Sequence, residues 1–514
     1  MIAETIPALL TQRAAADPQL EAIVDDNTRV TYAELDRRSA DRATWLVASG
    51  VNKGHRVALS MPNSIEWAVN ACAIMRIGAV LVPLSTLLRT PERCAQLEVA
   101  GVRHLIAASS FRGRDYQDEI SAIDRSTLPF LRNIWWSEDL GNGGSAQEQA
   151  VAIALAERVQ SADDMVVIFT SGSSGLPKGV IHTHGNALRA NTAGLADRCV
   201  RAGARVYLPM PFFWVGGFAA GLISALNAGA TLLTEAAPRP EQTLKFLQRE
   251  RATLFRGWPD QAAQLASHPD FSGADLSALT PGSLEALLPP VLRGQPGSRA
   301  RLFGMTETFG PFCGFPLDED MPQDKWGSCG RPFEGMHVRI VDPDSGASLP
   351  TGQTGSIQVG GRNILRGICG REREDVFTPD GWYDGGDLGW LDTDGFMYFS
   401  GRRDDMVKIK GATVYPSEVE SALEAIPGVK CAFATDIMID GVVVIGAAVV
   451  LDGSGIAGID QIARAARQGL SAFKLPSRAV VVDSMQDIPH LPTGKIDKPA
   501  LRALLLSGAA IAFT

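Results

Sequence analysis

Between residues 20 and 260 the chain alternates short apolar runs with stretches of helical period, and this alternation restricts the fold more than any other feature. Residues 20–30 read as a strand, a turn at Asp25-Asp26-Asn27 and a second strand. Thr31-x-x-Glu34 is a capping box, in which the Thr hydroxyl and the Glu carboxylate each satisfy a free helix N–H. Leu35, Ala43, Leu46 and Val47 then share one helical face until Gly50 ends it. A strand from Arg56 to Ser60, a helix from Ser64 to Ile77 and a strand from Ala79 to Pro83 repeat the order. Such repetition predicts an α/β fold: a large layered N-terminal domain with largely parallel sheets. The 514 residues leave length for at least one more domain.

The apolar run Met165-Val166-Val167-Ile168-Phe169 reads as a buried strand, and Thr170-Ser171-Gly172-Ser173-Ser174-Gly175-Leu176-Pro177-Lys178-Gly179 follows it. Small residues let backbone N–H groups and hydroxyls wrap around phosphate oxygens, with Lys178 as a positive charge at the rim. This is not a Walker A element, because Pro177 precedes the lysine. Taken alone, the stretch fits a polar turn between two strands equally well. Gly-Ser-Ser-Gly is also similar to the serine loop of amidase-signature hydrolases, which would put serine chemistry at Ser173 or Ser174.

The 48 basic and 57 acidic residues give a net charge of −9, and no long basic run argues for a nucleic-acid partner. Seven scattered cysteines, an odd number, argue against a disulfide framework or a zinc site and for reduced thiols in the cytoplasm. Met1-Ile2-Ala3-Glu4 does not open a signal peptide. Val215 to Leu233 carries no charge and approaches membrane-span length, but its glycines and Asn227 favour a buried helix leading into a strand at 230–234, so no transmembrane segment is expected.

Further motifs follow in a set order. They are Gly54-His55-Arg56-Val57-Ala58, Gly78 to Leu84, the aromatic turn at 206–218, Phe303-Gly304-Met305-Thr306-Glu307, and Gly381-Trp382-Tyr383-Asp384-Gly385-Gly386-Asp387. Gly401-Arg402-Arg403-Asp404-Asp405, Lys408-Ile409-Lys410-Gly411 and Pro492-Thr493-Gly494-Lys495-Ile496 come last. With the loop at 170–179, this set resembles the adenylate-forming superfamily of acyl-CoA synthetases, luciferases and peptide-synthetase adenylation domains, from about residue 25 to about residue 502. Within it the chain is most similar to an acid–CoA ligase.

The resemblance implies two domains, 1–403 with the ATP and acyl sites and a small mobile α+β domain at 404–514, joined at a hinge residue, Asp404. ATP contacts would come from Thr170, Ser171, Gly172, Ser173, Ser174, Gly175, Lys178, Phe303, Gly304, Met305, Thr306, Asp387, Arg402 and Lys495. Asp387 would take the ribose hydroxyls, and the Phe303 ring, where relatives carry Tyr, would stack on adenine. Glu307 would hold Mg²⁺, a hard cation suited to one carboxylate plus phosphate oxygens. Lys495, Glu307 and Thr306 would be catalytic. The acyl site would use Phe213, Trp214, Gly216, Gly282 and Phe309, with Phe312 beside it. Lys410 and Gly411 would line a thiol tunnel for CoA.

Departures from the family pattern are Trp214 for His, Asp384 and Gly385 for Arg and Thr, and His490 for Arg. The implied reaction forms acyl-AMP and pyrophosphate from a carboxylic acid and ATP, then passes the acyl group to CoA. An aromatic turn without Asp favours an apolar acid over an amino acid. A carrier-protein thiol in place of CoA is the alternative, disfavoured because no carrier domain follows residue 502, and a non-catalytic acyl-adenylate binder is the third reading. The resemblance also admits a homodimer.

Smaller expectations concern local structure. A strand is expected around Arg299 to Leu302, ahead of the Gly-Met-Thr-Glu run. Ser417-x-x-Glu420 reads as a second capping box, ahead of a helix with Val419, Leu423 and Ile426 on its apolar face. A strand pair around Asp440-Gly441, a helix from Ile459 to Phe473 and a strand from Ala479 to Val482 complete the small domain.

Overall fold

The apolar runs pair as parallel strands. The computed structural model describes residues 3–171, 177–403, 407–409, 412–414, 416–453, 458–470, 474–491, 496–508 and 510–513. One sheet has seven strands in the order Gly367–Ile368, Pro177–Thr183, Asp164–Ser171, Val80–Pro83, Arg56–Ser60, His104–Ala107 and Asn133–Trp136. The last five are mutually parallel, and Pro177–Thr183 runs antiparallel to both of its neighbours. A second sheet orders Leu254–Phe255, Arg205–Tyr207, Thr231–Leu233 and Glu21–Val24 in parallel, with Arg29–Thr31 antiparallel at its edge.

Local chemistry explains the element ends. Asp25 Oδ1 accepts the amides of Asn27 and Thr28 at 3.0 and 2.9 Å, which closes the turn. Its Oδ2 accepts the Ile65 amide at 3.0 Å, so the same carboxylate ties that turn to the first turn of helix Ile65–Arg76. The Thr31 and Glu34 capping box forms on helix Tyr32–Ala48. Trp67, fully buried, packs on Phe212 at 5.1 Å and Phe218 at 5.9 Å between ring centres. Truncating such a side chain costs about 3–5 kcal/mol.

The uncharged stretch is helical from Val215 to Ala228, but Phe218–Ile223 winds as a π-helix. Gly229 leaves the helix in the left-handed region, φ 71°, and strand Thr231–Leu233 follows. Asn191 Nδ2 donates to the Ala219 carbonyl inside the π segment at 2.7 Å, a contact suited to a widened turn. Among the described residues no helix is long and apolar enough to cross a membrane.

The chain divides into two compact units. The first comprises 1–338, 359–383 and 395–397, and the second 339–358, 384–394 and 398–514. Within the second, strands Val429–Ile439 and Val442–Leu451 form a hairpin across Asp440 and Gly441, both at positive φ, 49° and 76°. Strand Arg478–Val482 adds in parallel, and Ile511–Ala512 closes the sheet. Val419, Leu423 and Ile426 are buried, as their spacing requires.

Two local expectations fail. No strand occupies 299–302; the strand is Phe303–Met305, because pairing with Gly310–Gly314 begins only at Phe303. The second capping box does not form either. Helix Pro416–Glu424 already contains Ser417, whose hydroxyl donates to the Ser400 carbonyl at 2.5 Å. Glu420 accepts the Ala434 amide at 2.9 Å.

Candidate active site

The strands on either side of the glycine–serine stretch, Asp164–Ser171 and Pro177–Thr183, pair antiparallel. Thr170 and Ser171 pair with Lys178 and Pro177 as the last rungs of strands Asp164–Ser171 and Pro177–Thr183. Gly172, Ser173, Ser174 and Gly175 lie outside the described residues, as do Asp404, Lys410, Gly411 and Lys495; of Ser171 only the backbone is described. A strand precedes residues 172–176 and a strand, not a helix, follows them at Pro177.

Lys178 pairs with Glu307 Oε1, and its Nζ also donates to the Tyr383 hydroxyl at 2.6 Å. Tyr383 Oη donates to the same Glu307 oxygen at 2.9 Å. Glu307 is only 7% exposed. Burial, the largest influence, pushes its carboxyl up. The charge and hydrogen bond of Lys178, a backbone hydrogen bond and the Tyr383 hydroxyl outweigh it, and the carboxyl sits below its ordinary value. A buried carboxylate is thereby held ionised.

The turn bearing Glu307 is fixed from behind. The backbone N–H of Leu365 donates to the Glu307 carbonyl at 2.7 Å. His182 is buried, takes the Asn186 amide on Nδ1 at 2.8 Å and meets the Thr306 carbonyl with Nε2 at 2.7 Å. These partners select the neutral tautomer with the proton on Nε2. Burial pushes His182 down to about 4, so the ring stays neutral at physiological pH. At Gly304 a Cβ would lie 2.4 Å from the Gly310 carbonyl oxygen and 2.5 Å from Pro311 Cα, so the sharp Phe303–Met305 return tolerates only glycine there. Phe303 is half-buried and stands edge-on to Phe312 at 5.5 Å.

The expected acyl residues separate into groups. Phe213 and Trp214 form an edge-on pair at 5.4 Å ahead of the helix at Val215. A Cβ at Gly216 would meet Met210 Sδ at 2.5 Å. Phe309 is a core residue, against His182 at 5.0 Å and Phe218 at 5.9 Å. Gly282, φ 94°, sits over Cys199, and its carbonyl accepts Arg256 Nη1 at 2.8 Å.

In the second unit Asp387 lies in strand Tyr383–Leu391, not in a glycine-rich turn, is buried, and accepts Arg402 Nη1 at 3.0 Å. Asp384 accepts the Ser356 hydroxyl at 2.9 Å and the Gly386 amide at 2.8 Å, which gives this departure from the family pattern a structural task.

The structure thus brings Lys178, Thr306 and Glu307 together, and separately Asp387 and Arg402. Tyr383 and His182 were missed. Tyr383 stood in the Trp-Tyr-Asp motif, but nothing local in the sequence says that its hydroxyl reaches Glu307. Lys178, Glu307 and Tyr383 thus form a buried, hydrogen-bonded charged cluster beside the paired ends of strands Asp164–Ser171 and Pro177–Thr183. The family model described as AMP-binding enzyme matches residues 10–369, and the chain belongs to that adenylate-forming family.

Similar proteins include a 3-[(3aS,4S,7aS)-7a-methyl-1,5-dioxo-octahydro-1H-inden-4-yl]propanoyl:CoA ligase of Mycobacterium tuberculosis, 31% identical over 97% of this chain and 99% of that one. A feruloyl-CoA synthase of Amycolatopsis sp is 31% identical over 96% and 97%. Among solved structures, a fatty acyl CoA synthetase from Mycobacterium tuberculosis superposes with TM-score 0.73 at 27% identity, covering 98% of each chain. The O-succinylbenzoate coenzyme A synthetase of Bacillus subtilis in complex with ATP and magnesium ion gives 0.74 at 25% identity, over 97% and 99%.

Proposed function

We propose that this chain is an ATP-dependent acid–CoA ligase acting on a largely apolar carboxylic acid. The observation that carries the reading is Glu307, buried, ionised and held by Lys178 and Tyr383 at the foot of the glycine–serine hairpin. In the first half-reaction a substrate carboxylate oxygen bonds to the α-phosphorus of ATP while the bond to the bridging oxygen breaks, releasing pyrophosphate. In the second, a CoA sulfur bonds to the acyl carbon and AMP leaves with the C–O electron pair.

No side chain has to act as nucleophile, because the acid arrives ionised. The chain must instead offset the repulsion between two anions. Lys178 supplies one positive charge at the hairpin base, and its tie to Glu307 keeps it aimed before substrate binds. Glu307 also fits Mg²⁺: its Oε1 takes Lys178 and Tyr383, and Oε2, with no side-chain partner among the described residues, would suit a hard cation that otherwise uses water and phosphate oxygens. Bound there, the ion would neutralise triphosphate charge.

Lys495 as the second cation, Asp387 and Arg402 at the ribose side, Lys410 and Gly411 along the thiol path, and rotation of 404–514 about Asp404 belong to the same reading. They rest on the motif order. A cytoplasmic location, where ATP and CoA are at hand, and a homodimer are proposed with it; sedimentation tests the latter.

One observation favours a more polar acid. Arg256 lies at the carboxyl end of strand Leu254–Phe255, where parallel sheets bind ligands, and donates to Gly282. Burial pushes it down to about 10. A keto or second carboxylate group on the acid would suit that guanidinium.

ATP–pyrophosphate exchange over a panel of alkanoic, aryl, keto and dicarboxylic acids, with and without CoA, tests both readings. Acid-dependent exchange plus thioester formation is expected. Exchange without thioester points to a carrier protein, and ATP-independent amide cleavage to the amidase. Absence of exchange with every acid would defeat the ligase reading. A preference for keto or dicarboxylic acids that vanishes in Arg256→Leu would select the polar variant.

A further inference from the structure

The first unit contains a cavity lined by none of the residues given ATP, acyl or CoA contacts above. It measures about 450 Å³, within the range of small-molecule sites. Ser161 and Ala162 form one side, the start of helix His184–Ala193 a second, and residues 361–366 with 373–381 the rest. Arg189, Arg362, Arg366 and Arg373 all line it, and no Asp or Glu does. On a chain of net charge −9, four guanidiniums around one hollow form a marked local reversal.

Their existing partners are weak. Arg189 reaches Glu4 at 3.9 Å and Arg362 reaches Glu334 at 4.0 Å, both at the limit of an ion pair, the second largely solvent-exposed on both sides. Arg366 is better held, by Asp164 at 3.2 Å and the Ala162 carbonyl at 2.9 Å. Arg373 stacks over Phe377, 4.8 Å from the ring centre, which orients its plane without neutralising it. Arg189 Nε is buried and has no hydrogen-bond partner among the described residues, although its Nη2 touches the Arg362 carbonyl at 3.4 Å. A buried donor left unpaired is costly unless a ligand meets it. The Thr183 and Asn186 side chains on the floor bond to one another, so they add a polar base without adding negative charge.

We infer that this cavity is a second anion site, separate from the Lys178–Glu307 centre, which binds a multiply charged phosphate chain: free pyrophosphate or tripolyphosphate, or the diphosphate of a nucleotide. Planar guanidinium forks match phosphate oxygens in pairs, and several of them together discriminate a di- or triphosphate from a monoanion. The floor also touches the catalytic turn. Asn186 Nδ2 bonds both His182 and the Ile364 carbonyl, and Leu365 donates to the Glu307 carbonyl.

The test is calorimetric titration of the full-length protein with pyrophosphate, tripolyphosphate, ADP and orthophosphate. It is repeated on Arg362→Ala/Arg373→Ala, both exposed side chains, and on the single variant Arg373→Glu in case the double variant unfolds. Wild type is expected to bind one more equivalent of pyrophosphate or tripolyphosphate than either variant, with orthophosphate at least about tenfold weaker. The ADP arm decides whether the chain is taken free or on a nucleoside. The pyrophosphate KM of ATP–pyrophosphate exchange is expected to stay within twofold in both variants. Equal stoichiometry and affinity in wild type and variants would overturn the inference. A tenfold rise in that KM would overturn the separateness of the site, since it would make the cavity part of the reaction path.

Discussion

Lys178→Met puts the central electrostatic argument at risk. The substitution keeps the length of the side chain and removes the cation, leaving Glu307, 7% exposed, with the Tyr383 hydroxyl as its remaining side-chain partner among the described residues. Removing one member of a buried pair costs about 3–5 kcal/mol; because Lys178 is itself half-buried, about 3 kcal/mol is expected at pH 7.5. For a unit of several hundred residues this is a fall of about 4 °C in melting temperature. The sign with pH is distinctive. In the wild type the Glu307 carboxyl lies below its ordinary value, so it adds stability above the usual carboxylate range and loses it as pH falls through the lowered pKa.

Without Lys178, burial dominates and raises that pKa, so protonation relieves the variant as pH falls. Scanning calorimetry of wild type, Lys178→Met, Glu307→Gln and the double variant, with the two units resolved as separate transitions, reads this directly. The deficit of Lys178→Met should shrink by more than half between pH 7.5 and pH 5, and Glu307→Gln should rescue it. An equal deficit at both pH values, or no rescue, refutes the claim that Lys178 exists in part to hold a buried charge.

Other expectations follow from single contacts. Tyr383→Phe removes a hydrogen bond to a charged group, worth about 1.5–3 kcal/mol, and should lower kcat/KM of pyrophosphate exchange about tenfold or more, with little change in KM for the acid. Gly304→Ala drives a Cβ into the backbone at Gly310 and Pro311 and should lower ATP affinity and melting temperature together, seen by nucleotide titration and calorimetry. His182 and His184 are both pushed down to about 4 by burial, against an unfolded value of about 6.5. Their stability is fully present above pH 6.5 and lost as pH falls towards 4, up to about 3 kcal/mol each. His184→Asn should flatten the acid limb of a urea-midpoint profile, and an unchanged limb would count against it.

Much of the fold was legible because its signals are local. Strand and helix periods, the Thr31–Glu34 box and the positive-φ pair Asp440-Gly441 each depend on neighbours within a few residues. The two failures share a cause. Whether 299–302 or 303–305 becomes a strand depends on where Gly310–Gly314 pairs, and whether Ser417 caps a helix depends on a competing carbonyl at Ser400. Pairing partners distant in sequence leave no trace in the segment itself.

The same division holds for the site. Residue order, through its resemblance to the family, determined the family, the reaction class and the candidacy of Lys178, Glu307 and Asp387, because motifs in a set order are legible without distances. Only the folded chain decided that Lys178 and Glu307 neutralise each other with Tyr383 between them, that Phe309 belongs to the core, that Asp384 is spent on Ser356, and that four arginines line one hollow. Charge and burial act through space, and a sequence records neither the distance between two side chains nor the water that has been taken from around them.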